Sequence, residues 1–470
     1  MLRRGSAPRS CDGGEARPHR AGEPVLARPG AAPDPRRQHR GEREEVPQLE
    51  GLTTPRVAVV GAGVVGLACA WELRRAGADV LVIERGAIGD GASRGNTGWV
   101  CPSLTYPLPA PGMVREGLRQ LVTGGEAFVL RPRLDPAFVR WLWEFRRSCS
   151  QPRFDAGVRA LLALNERTLE LFDAYRDAGV SFEMHTAGLV VAARTREGLD
   201  LYRAIFRRLR DLGYRGGAID ELDAAALVSL EPALDAAHVV AGLHATVDRF
   251  VRPEQLTAGL AESLRRDGVE VRERCELSGL ARRNGGLALE TTAGQEVADR
   301  VVVAAGLPTA PLLRRLGMRV PLVGARGYSV TVAGRGDPPR HALYLAEAKL
   351  GLSPFAGGVR IAGVFELGAR KAEAPPGAGE RLIAAARPYL GGWRPDADAP
   401  AEAWAGLRPA TPDGLPLIGA LPGLDGVYLA TGHGMLGVTL APATAALLAP
   451  LVLEGRAAPE LAPFDPARSV

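Results

Sequence analysis

The sequence predicts an α/β fold in which one parallel, Rossmann-like sheet is assembled from distant parts of the chain. An apolar run at 57–60 is followed by a glycine-rich turn and then by an apolar stretch of helix-forming residues. Two further apolar runs, at 300–306 and 427–430, have the composition of strands buried on both faces of a parallel sheet. Because these runs lie far along the chain from the first, the predicted domain is discontinuous.

The glycine-rich turn has the spacing of a dinucleotide-binding site. In GxGxxG the first glycine permits a tight turn, the second lets the backbone approach a pyrophosphate, and the third lets helix and strand pack closely. The helix predicted over Ala68–Ala76 directs its N-terminus at the phosphates. The strand predicted over Asp79–Ile83 ends at an acid that can accept hydrogen bonds from ribose hydroxyls. The predicted cofactor contacts here are Gly61, Gly63, Val64, Val65, Gly66, Glu84 and Arg85.

Two later segments favour FAD over NAD as the dinucleotide. The run at 300–306 ends in Ala305 and Gly306 and returns to the same sheet. The strand at 427–430 meets a turn containing Gly432 and Gly434, which precedes a long apolar helix. The N-terminus of that helix offers backbone N–H groups and the positive end of a dipole. Both would stabilise the negative charge of a reduced flavin.

Length and composition bound the remaining possibilities. A chain of 470 residues predicts two or three domains. The net charge of +5 comes without a basic stripe interleaved with aromatic residues, so nucleic-acid binding is not expected. The five cysteines are widely spaced and form no Cys/His cluster, so we expect a reducing compartment, no disulfide framework and no metal site.

Residues 1–52 differ in composition from the rest of the chain. They are rich in Arg, Pro and Gly and show almost no apolar periodicity, which predicts a disordered tail. No apolar core follows the basic start, so a signal peptide is not expected. The run Met435–Leu453 is long enough to span a membrane, but its position after the glycine turn favours a buried helix.

Four segments resemble the flavoprotein family of D-amino-acid oxidases, sarcosine and glycine oxidases and bacterial D-amino-acid dehydrogenases. They are SRGNTG (93–98), RGYSV (326–330), GLRPATPDGLPLIG (406–419) and TGHGMLGVTLAP (431–442). The chain is most similar to the small-subunit type of D-amino-acid dehydrogenase. The resemblance implies noncovalent FAD, because the cysteine that carries flavin in sarcosine oxidases has no counterpart after Cys275. It also implies a second, mostly antiparallel domain that binds substrate.

The resemblance divides the chain and adds further flavin contacts. The FAD-binding domain is expected over 53–110, 246–315 and 405–470, and the substrate domain, with helical insertions, over 111–245 and 316–404. The loop along the flavin corresponds to Ser93, Asn96, Thr97 and Gly98. The loop at the pyrimidine edge corresponds to Gly432, Gly434, Met435 and Leu436.

The implied reaction requires a cation that holds the substrate carboxylate. A guanidinium fits this task because its fork binds both carboxylate oxygens. Arg408, in GLRP, matches the carboxylate-binding arginine of the family; the alternative is a surface arginine before a proline. Tyr328 in RGYSV is a candidate for orienting substrate, with Arg326 as a weaker one; the alternative for Tyr328 is a strand aromatic packed in the core. His433 is a candidate donor to substrate or flavin; the alternative is an exposed turn histidine.

Lys349 is the most unusual of the candidate residues. Of 58 basic residues only Lys349 and Lys371 are lysines, and Lys349 lies in an apolar, strand-like stretch. In sarcosine-oxidase relatives a lysine of a K-x-G strand lies over the flavin near N5. A cation there stabilises the electron-rich reduced cofactor. The alternative is a charge that protects an edge strand from aggregation.

The expected activity is oxidative deamination of D-amino acids, including D-proline or hydroxyproline-type imino acids. Hydride passes from Cα to flavin N5, and the resulting imine is hydrolysed to the 2-oxo acid. One alternative is a glycine- or sarcosine-type amine oxidase using O2; another is a noncatalytic protein of flavoprotein fold. The electron acceptor is a quinone or O2. We expect a cytoplasmic location, although the amphipathic stretch VRWLWEFRRS could contact a membrane surface.

Overall fold

The computed structural model describes residues 54–115, 128–283, 285–396 and 402–468. The predicted tail, residues 1–52, lies outside these ranges. The α-helices are α1 (Val64–Arg75), α2 (Pro136–Ser148), α3 (Gln151–Asn165), α4 (Thr168–Asp177), α5 (Arg196–Asp211), α6 (Ala224–Leu230), α7 (Pro253–Arg266), α8 (Thr309–Arg315), α9 (Ala378–Ala386) and α10 (Gly437–Glu454).

The strands are β1 (Arg56–Val60), β2 (Asp79–Ile83), β3 (Trp99–Val100), β4 (Phe128–Leu130), β5 (Met184–His185), β6 (Leu189–Ala193), β7 (Ile219–Asp223), β8 (Ala241–Ala245), β9 (Arg249–Val251), β10 (Glu270–Arg272), β11 (Leu277–Arg283), β12 (Gly286–Thr291), β13 (Gly294–Ala298), β14 (Arg300–Val303), β15 (Val323–Val332), β16 (Gly334–Gly336), β17 (Ala342–Leu345), β18 (Leu350–Phe355), β19 (Gly358–Leu367), β20 (Trp393–Pro395), β21 (Trp404–Ala410), β22 (Leu417–Ala420) and β23 (Val427–Thr431).

The predicted discontinuous parallel sheet is confirmed. Its strand order is β10-β2-β1-β14-β23-β22, and neighbouring strands are parallel except for β22 and β23. Val57, Ala58 and Val59 are fully buried, as expected of a strand covered on both faces. One boundary was wrong: α1 begins at Val64 rather than Ala68. Its first turn therefore contains Gly66, which brings the helix N-terminus directly to the glycine turn.

The second large sheet is mostly antiparallel, as the family resemblance implied. Its order is β21-β15-β19-β18-β17-β6-β8-β7, and β4 adds to β19. The pairs β17–β6 and β19–β4 are parallel. The domain boundary predicted at 405 falls inside β21, which pairs with β15 of this sheet. Arg408 therefore belongs to the larger sheet and not to the nucleotide-binding one.

The apolar C-terminal run forms α10, which packs in the same apolar cluster as α1. Within the described residues, α10 alone has the length and hydropathy of a membrane span, and 61% of its most apolar window is buried in the protein. Leu440, Ala445 and Val452 are fully buried. This burial agrees with the predicted core helix.

The aromatic stretch VRWLWEFRRS forms most of α2. Phe138, Trp141 and Phe145 are buried in one apolar cluster, whereas Trp143 is 54% exposed. The Arg147 guanidinium lies 4.5 Å from the centre of the Trp143 ring. Three of the four aromatic residues of α2 are therefore core residues, and one is on the surface.

Candidate active site

A single cavity of about 2010 Å³ is lined by residues of both large sheets. Such a volume exceeds the roughly 300–1,000 Å³ of a typical small-ligand pocket. Among the predicted cofactor contacts, all except Gly66 and Gly98 line it. Arg408, Lys349, Tyr328 and His433 also border it. The sequence candidates from distant segments therefore meet at one place.

The glycine turn brings bare backbone to the cavity wall. Gly61 has φ +109°, and a Cβ added there would lie 2.6 Å from the Ala304 carbonyl oxygen. A Cβ at Gly66 would lie 1.8 Å from the Gly61 carbonyl oxygen, so this glycine serves helix–strand packing rather than ligand contact. At the start of α1, the backbone N–H of Val64 donates to Ser93 Oγ at 3.0 Å. Only glycine at 61 and 66 lets the turn pack this closely against Ala304 and the start of α1.

The acid at the end of β2 is held by backbone donors. The N–H of Ala62 donates to Glu84 Oε2 at 2.7 Å, and that of Gly86 donates to Oε1 at 2.8 Å. Glu84 lines the cavity beside Arg85. These hydrogen bonds fix the carboxylate at the edge where a ribose would lie.

The loop after β2 is shaped by its own side chains. Asn96 Oδ1 accepts from the N–H of Gly98 at 2.7 Å, while Nδ2 donates to the Ser93 carbonyl at 2.9 Å. The hydroxyl of Ser353, in β18, donates to the Thr97 carbonyl at 2.7 Å. Gly98 has φ +68°, and a Cβ there would lie 1.8 Å from the Val251 carbonyl oxygen. Asn96 and Gly98 thus shape the loop, and Ser353 ties it to the second large sheet.

The C-terminal loop forms another part of the cavity wall. Gly432 and Gly434 have φ +80° and +55°, and the N–H of Gly434 donates to the Pro409 carbonyl at 3.1 Å. Helix α10 starts directly after Leu436, with neither a side-chain cap nor an acid in its first turn. The first N–H groups of this helix therefore remain suited to a ligand's anionic edge.

The residues fit an extended FAD. Glycines whose Cβ atoms would strike the neighbouring strand, a pinned carboxylate at the end of β2 and an uncapped helix start are the features that such a cofactor requires. The glycine turn and the α1 N-terminus would hold the pyrophosphate. Glu84 would hold the ribose, and the Gly432–Leu436 loop would face the flavin.

Arg408 is a crowded cation beside the cavity. Its Nη1 donates to the Val364 carbonyl at 3.1 Å, and its Cζ lies 5.7 Å from the centre of the Phe365 ring. The side chain keeps partial exposure to the cavity, but burial lowers its pKa to about 10, so it remains charged at neutral pH. Within the described ranges, no carboxylate lies within ion-pair distance of it. The predicted alternative, a surface arginine, does not match this environment.

The backbone that receives Arg408 is irregular. In the pairing of β15 with β19, Gly327 faces both Val364 and Phe365, which is a β-bulge. Val364 has φ +65°, a strained value for a β-branched residue. A Cβ at Gly327 would lie 2.2 Å from the Arg408 guanidinium, so glycine leaves the room that the arginine fills.

The contacts of Tyr328 match the predicted alternative of a core aromatic. Its hydroxyl donates to Glu366 Oε2, and its ring packs in an apolar cluster with Val330 and Leu350. Burial and this hydrogen bond raise the pKa of Tyr328 to about 12. Arg326 donates to Glu366 at 2.7 Å and is not part of the cavity wall. Tyr328 nevertheless borders the cavity, so its role in orienting substrate stays a prediction.

His433 is buried, so the predicted alternative of an exposed turn histidine was wrong. It is 5% exposed, and its Nε2 forms a hydrogen bond with Thr444 Oγ1 at 3.0 Å. Burial lowers its pKa to about 3. The ring is therefore neutral at physiological pH and links the C-terminal loop to α10.

Lys349 borders the cavity, but from a turn and not from a strand as predicted. It is the last residue of the turn between β17 and β18 and has φ +55°. Its Nζ donates to the Tyr202 hydroxyl at 3.0 Å and lies 4.8 Å from the centre of that ring. The hairpin must reverse within four residues, and the left-handed backbone at this point completes the reversal.

An aromatic wall near Lys349 was not predicted. Tyr202 and Tyr344 meet edge to face at 5.2 Å, and Tyr344 meets Trp99 at 5.6 Å. Tyr106 lines the same cavity. Burial raises the pKa of each of these tyrosines, so all are neutral. These residues come from separate elements with no shared spacing, so no local sequence pattern predicts that they meet.

Comparisons with known proteins identify the family of the chain. A family model described as DAO, FAD dependent oxidoreductase, matches residues 56–451. A D-amino acid dehydrogenase of Cereibacter sphaeroides is 34% identical over 417 residues, covering 87% of this chain and 94% of the relative. A D-amino acid dehydrogenase of Phenylobacterium zucineum is 33% identical over 417 residues, covering 86% of this chain and 95% of the relative.

Solved structures show the same fold. Glycine oxidase from Geobacillus kaustophilus superposes with a TM-score of 0.66 at 25% identity, covering 89% of this chain and all of that one. L-proline dehydrogenase from P. horikoshii gives a TM-score of 0.65 at 19% identity, covering 88% of this chain and 97% of that one. The chain is an enzyme that uses FAD, and it belongs to the DAO family of FAD dependent oxidoreductases.

Proposed function

We propose that this enzyme oxidatively deaminates D-amino acids to 2-oxo acids. The observation that carries the proposal is Arg408, a charged guanidinium at the cavity with a backbone carbonyl but no described carboxylate as its partner. A half-buried charge without a described counter-ion is costly, which supports an anionic ligand at this place. The D-amino acid dehydrogenases among the relatives support the choice of substrate.

Arg408 would hold both oxygens of the substrate carboxylate, which fixes the direction of Cα. The bound FAD supplies the acceptor, at flavin N5, for the hydride that leaves Cα. The amine must be neutral for this step, because its lone pair forms the C=N bond as the hydride leaves and a protonated imine results. Water then adds to the imine and releases ammonia. In this scheme no side chain needs to act as a base.

Lys349 is proposed to face the reactive part of the cofactor. The support is its place in the cavity wall and the tyrosine that holds its Nζ. Its cation would stabilise negative charge that develops on reduction. Tyr202 would restrict the long lysine side chain to one direction.

The cavity wall near Arg408 favours an apolar substrate side chain. Phe365 stacks on Phe128 with ring centres 5.8 Å apart, and Leu108 and Met113 pack in the same cluster. Apolar linings bind side chains by removing them from water. This surface suits D-alanine, larger apolar D-amino acids and cyclic imino acids such as D-proline.

A glycine- or sarcosine-type amine oxidase is the second candidate. Its support is the structural similarity to glycine oxidase at 25% identity. The two candidates share the carboxylate site and differ in substrate and in electron acceptor, a quinone for a dehydrogenase and O2 for an oxidase. A noncatalytic protein of this fold has less support, since the cofactor-binding features are intact.

The test is an anaerobic titration of the purified holoenzyme, following flavin absorbance. D-proline, D-alanine, L-alanine, glycine and sarcosine are added separately. Bleaching by the D-amino acids alone, with slow recovery in air and fast recovery with a quinone, supports a D-amino-acid dehydrogenase. Fast recovery in air after glycine or sarcosine supports the amine oxidase. Flavin that none of the five compounds bleaches contradicts both.

We also propose that the enzyme works in the cytoplasm. The free state of Cys69, Cys101, Cys149 and Cys275 supports a reducing compartment. The exposed Trp143 and the neighbouring arginines of α2 support peripheral contact with the inner membrane as the alternative. Cell fractionation distinguishes the two locations: a cytoplasmic enzyme stays in the soluble fraction, and a peripheral one leaves the membrane fraction only in high salt.

A further inference from the structure

The bulge beside Arg408 is followed at once by a buried carboxylate. Glu366 comes two residues after Val364, whose carbonyl receives Arg408, and it is 1% exposed. The carboxylate is not part of the cavity wall. It therefore cannot meet a substrate in the cavity, and its burial needs another reason.

The partners of Glu366 lie on both sides of the bulge. Arg326 donates to Oε2 from Nε at 2.7 Å, with Nη2 at 2.6 Å, and the Tyr328 hydroxyl donates to the same oxygen. Arg131, which directly follows β4, donates to Oε1. Burial would raise the pKa of Glu366, but the hydrogen bonds from Tyr328, Arg326 and Arg131 outweigh it and lower that pKa. The group is ionised at neutral pH.

Arg326 and Tyr328 are the residues that flank Gly327. Gly327 is the residue opposite the bulge, and its missing side chain leaves the space for the Arg408 guanidinium. One carboxylate thus binds the residues before and after the gap that Arg408 fills. These contacts oppose a slip of β19 into regular pairing, which would turn the Val364 carbonyl away.

We propose that Glu366 is a positioning residue for substrate: it clamps the bulge so that the Val364 carbonyl aims Arg408 at the substrate carboxylate. This inference rests on the proposed role of Arg408. It also gives Tyr328 and Arg326 a function as parts of the clamp. Since Arg326 is neutralised by Glu366, the substrate anion is left to Arg408.

The sign of the effect separates positioning from simple electrostatics. Glu366→Gln removes a negative charge, so the positive charges of Arg131 and Arg326 lose their counter-ion. By charge alone, that change should strengthen the binding of an anion near Arg408. A positioning role predicts the opposite, weaker binding, because the guanidinium is no longer held in one orientation.

The experiment measures binding and turnover in the FAD-loaded enzyme. Glu366→Gln is compared with Tyr328→Phe, which removes one contact of the clamp and should fold if the first variant does not. The binding probe is 3-phenylpropionate, an amino acid analogue without the amine, followed by flavin absorbance. The matched control is Asp173→Asn, which breaks the Arg249–Asp173 ion pair on a different part of the protein.

We expect Glu366→Gln to raise the Kd of 3-phenylpropionate and the KM of the amino acid about tenfold, with kcat little changed. Tyr328→Phe should change both in the same direction by a smaller factor, and Asp173→Asn should change neither. Unchanged or tighter binding in the Glu366 and Tyr328 variants, with only a lower Tm, would overturn the inference. An Arg408→Leu variant measured in parallel shows which idea has failed. If it binds 3-phenylpropionate normally, the proposed carboxylate site is wrong; if it does not, only the role of Glu366 is at stake.

Discussion

The two ends of the cavity are built from different chemical material. At the cofactor end the wall is mainly backbone: glycines with positive φ, N–H groups at two helix starts and a carboxylate fixed by N–H donors. At the substrate end it is mainly side chains, with Arg408 and Lys349 held by a carbonyl and a tyrosine. The cofactor end should therefore be most sensitive to an added Cβ at its glycines. The substrate end should depend on individual charged groups.

The substitution with the largest expected effect tests the cofactor end of the cavity. Gly61→Ala would place a Cβ 2.6 Å from the Ala304 carbonyl oxygen at φ +109°. Strain and overpacking together should cost about 2–5 kcal/mol of unfolding free energy and remove bound flavin. Flavin content after purification and chemical denaturation measure both quantities.

The matched control for Gly61 is Gly268→Ala, at φ +80° with nothing within 4 Å of the added Cβ. This variant should lose only about 1–2 kcal/mol and keep its flavin. If both variants kept full flavin, cofactor binding would not depend on bare backbone. The proposed difference between the cofactor end and the substrate end of the cavity would then be wrong.

The next largest effect tests the side-chain end. Arg408→Leu removes the guanidinium and leaves a shorter apolar side chain, so the substrate carboxylate would enter an uncharged site. Loss of a charge-assisted pair costs about 2–5 kcal/mol, which corresponds to a rise in KM of about 30- to 5,000-fold. Flavin content should be unchanged. Steady-state kinetics with the best D-amino acid measure the KM, and an unchanged value would contradict the role of Arg408.

The same contrast explains which parts of the site the sequence could predict. Gly61, Gly63 and Glu84 follow each other within one βαβ unit, so their spacing alone indicates their roles. At the other end, Val364, Arg408 and Glu366 meet through strand pairing between distant segments, and no local pattern marks a bulge. The sequence predicts a strand at Lys349 because the neighbouring residues are apolar. The left-handed backbone there is not marked by a glycine, so no residue indicates the turn.

Lys349→Met tests whether the substrate end depends on the charge of Lys349 as well as on that of Arg408. Methionine keeps the length and apolar volume of the side chain but has no charge. If the cation stabilises charge that develops on reduction, the rate of flavin bleaching should fall about 10²-fold while flavin content and KM stay close to normal. Stopped-flow absorbance under anaerobic conditions measures this rate, and reoxidation by O2 or quinone is followed separately.

The control for Lys349 is the only other lysine of the chain. Lys371 is 76% exposed and lies 3.6 Å from Glu373 in a surface loop. Lys371→Met changes the net charge by the same amount but should leave both half-reactions unchanged. Equal rates in the two lysine variants would assign Lys349 to the structure of the hairpin alone.

The smallest expected effect concerns His433, where a side chain supports the backbone end. Burial holds its pKa at about 3, whereas an unfolded histidine titrates near 6.5. Between these values the unfolded chain binds a proton that the folded chain does not, so the unfolding free energy falls as the pH falls below about 6.5. The slope from one such group is about 1.4 kcal/mol per pH unit. His433→Gln keeps a polar group for Thr444 but removes this slope.

The measurement compares unfolding free energies from about pH 7 to about pH 5 in the native enzyme and in His433→Gln. Carboxylates and the other histidines, including His244, whose pKa burial also lowers, titrate in both proteins, so only the difference between the two curves belongs to His433. If the unfolding free energy of His433→Gln changed with pH in parallel with that of the native enzyme, the His433 ring would gain its proton without loss of the fold. The Gly432–Leu436 loop would then be open to water, and the rigid backbone wall inferred for the cofactor end would be wrong there.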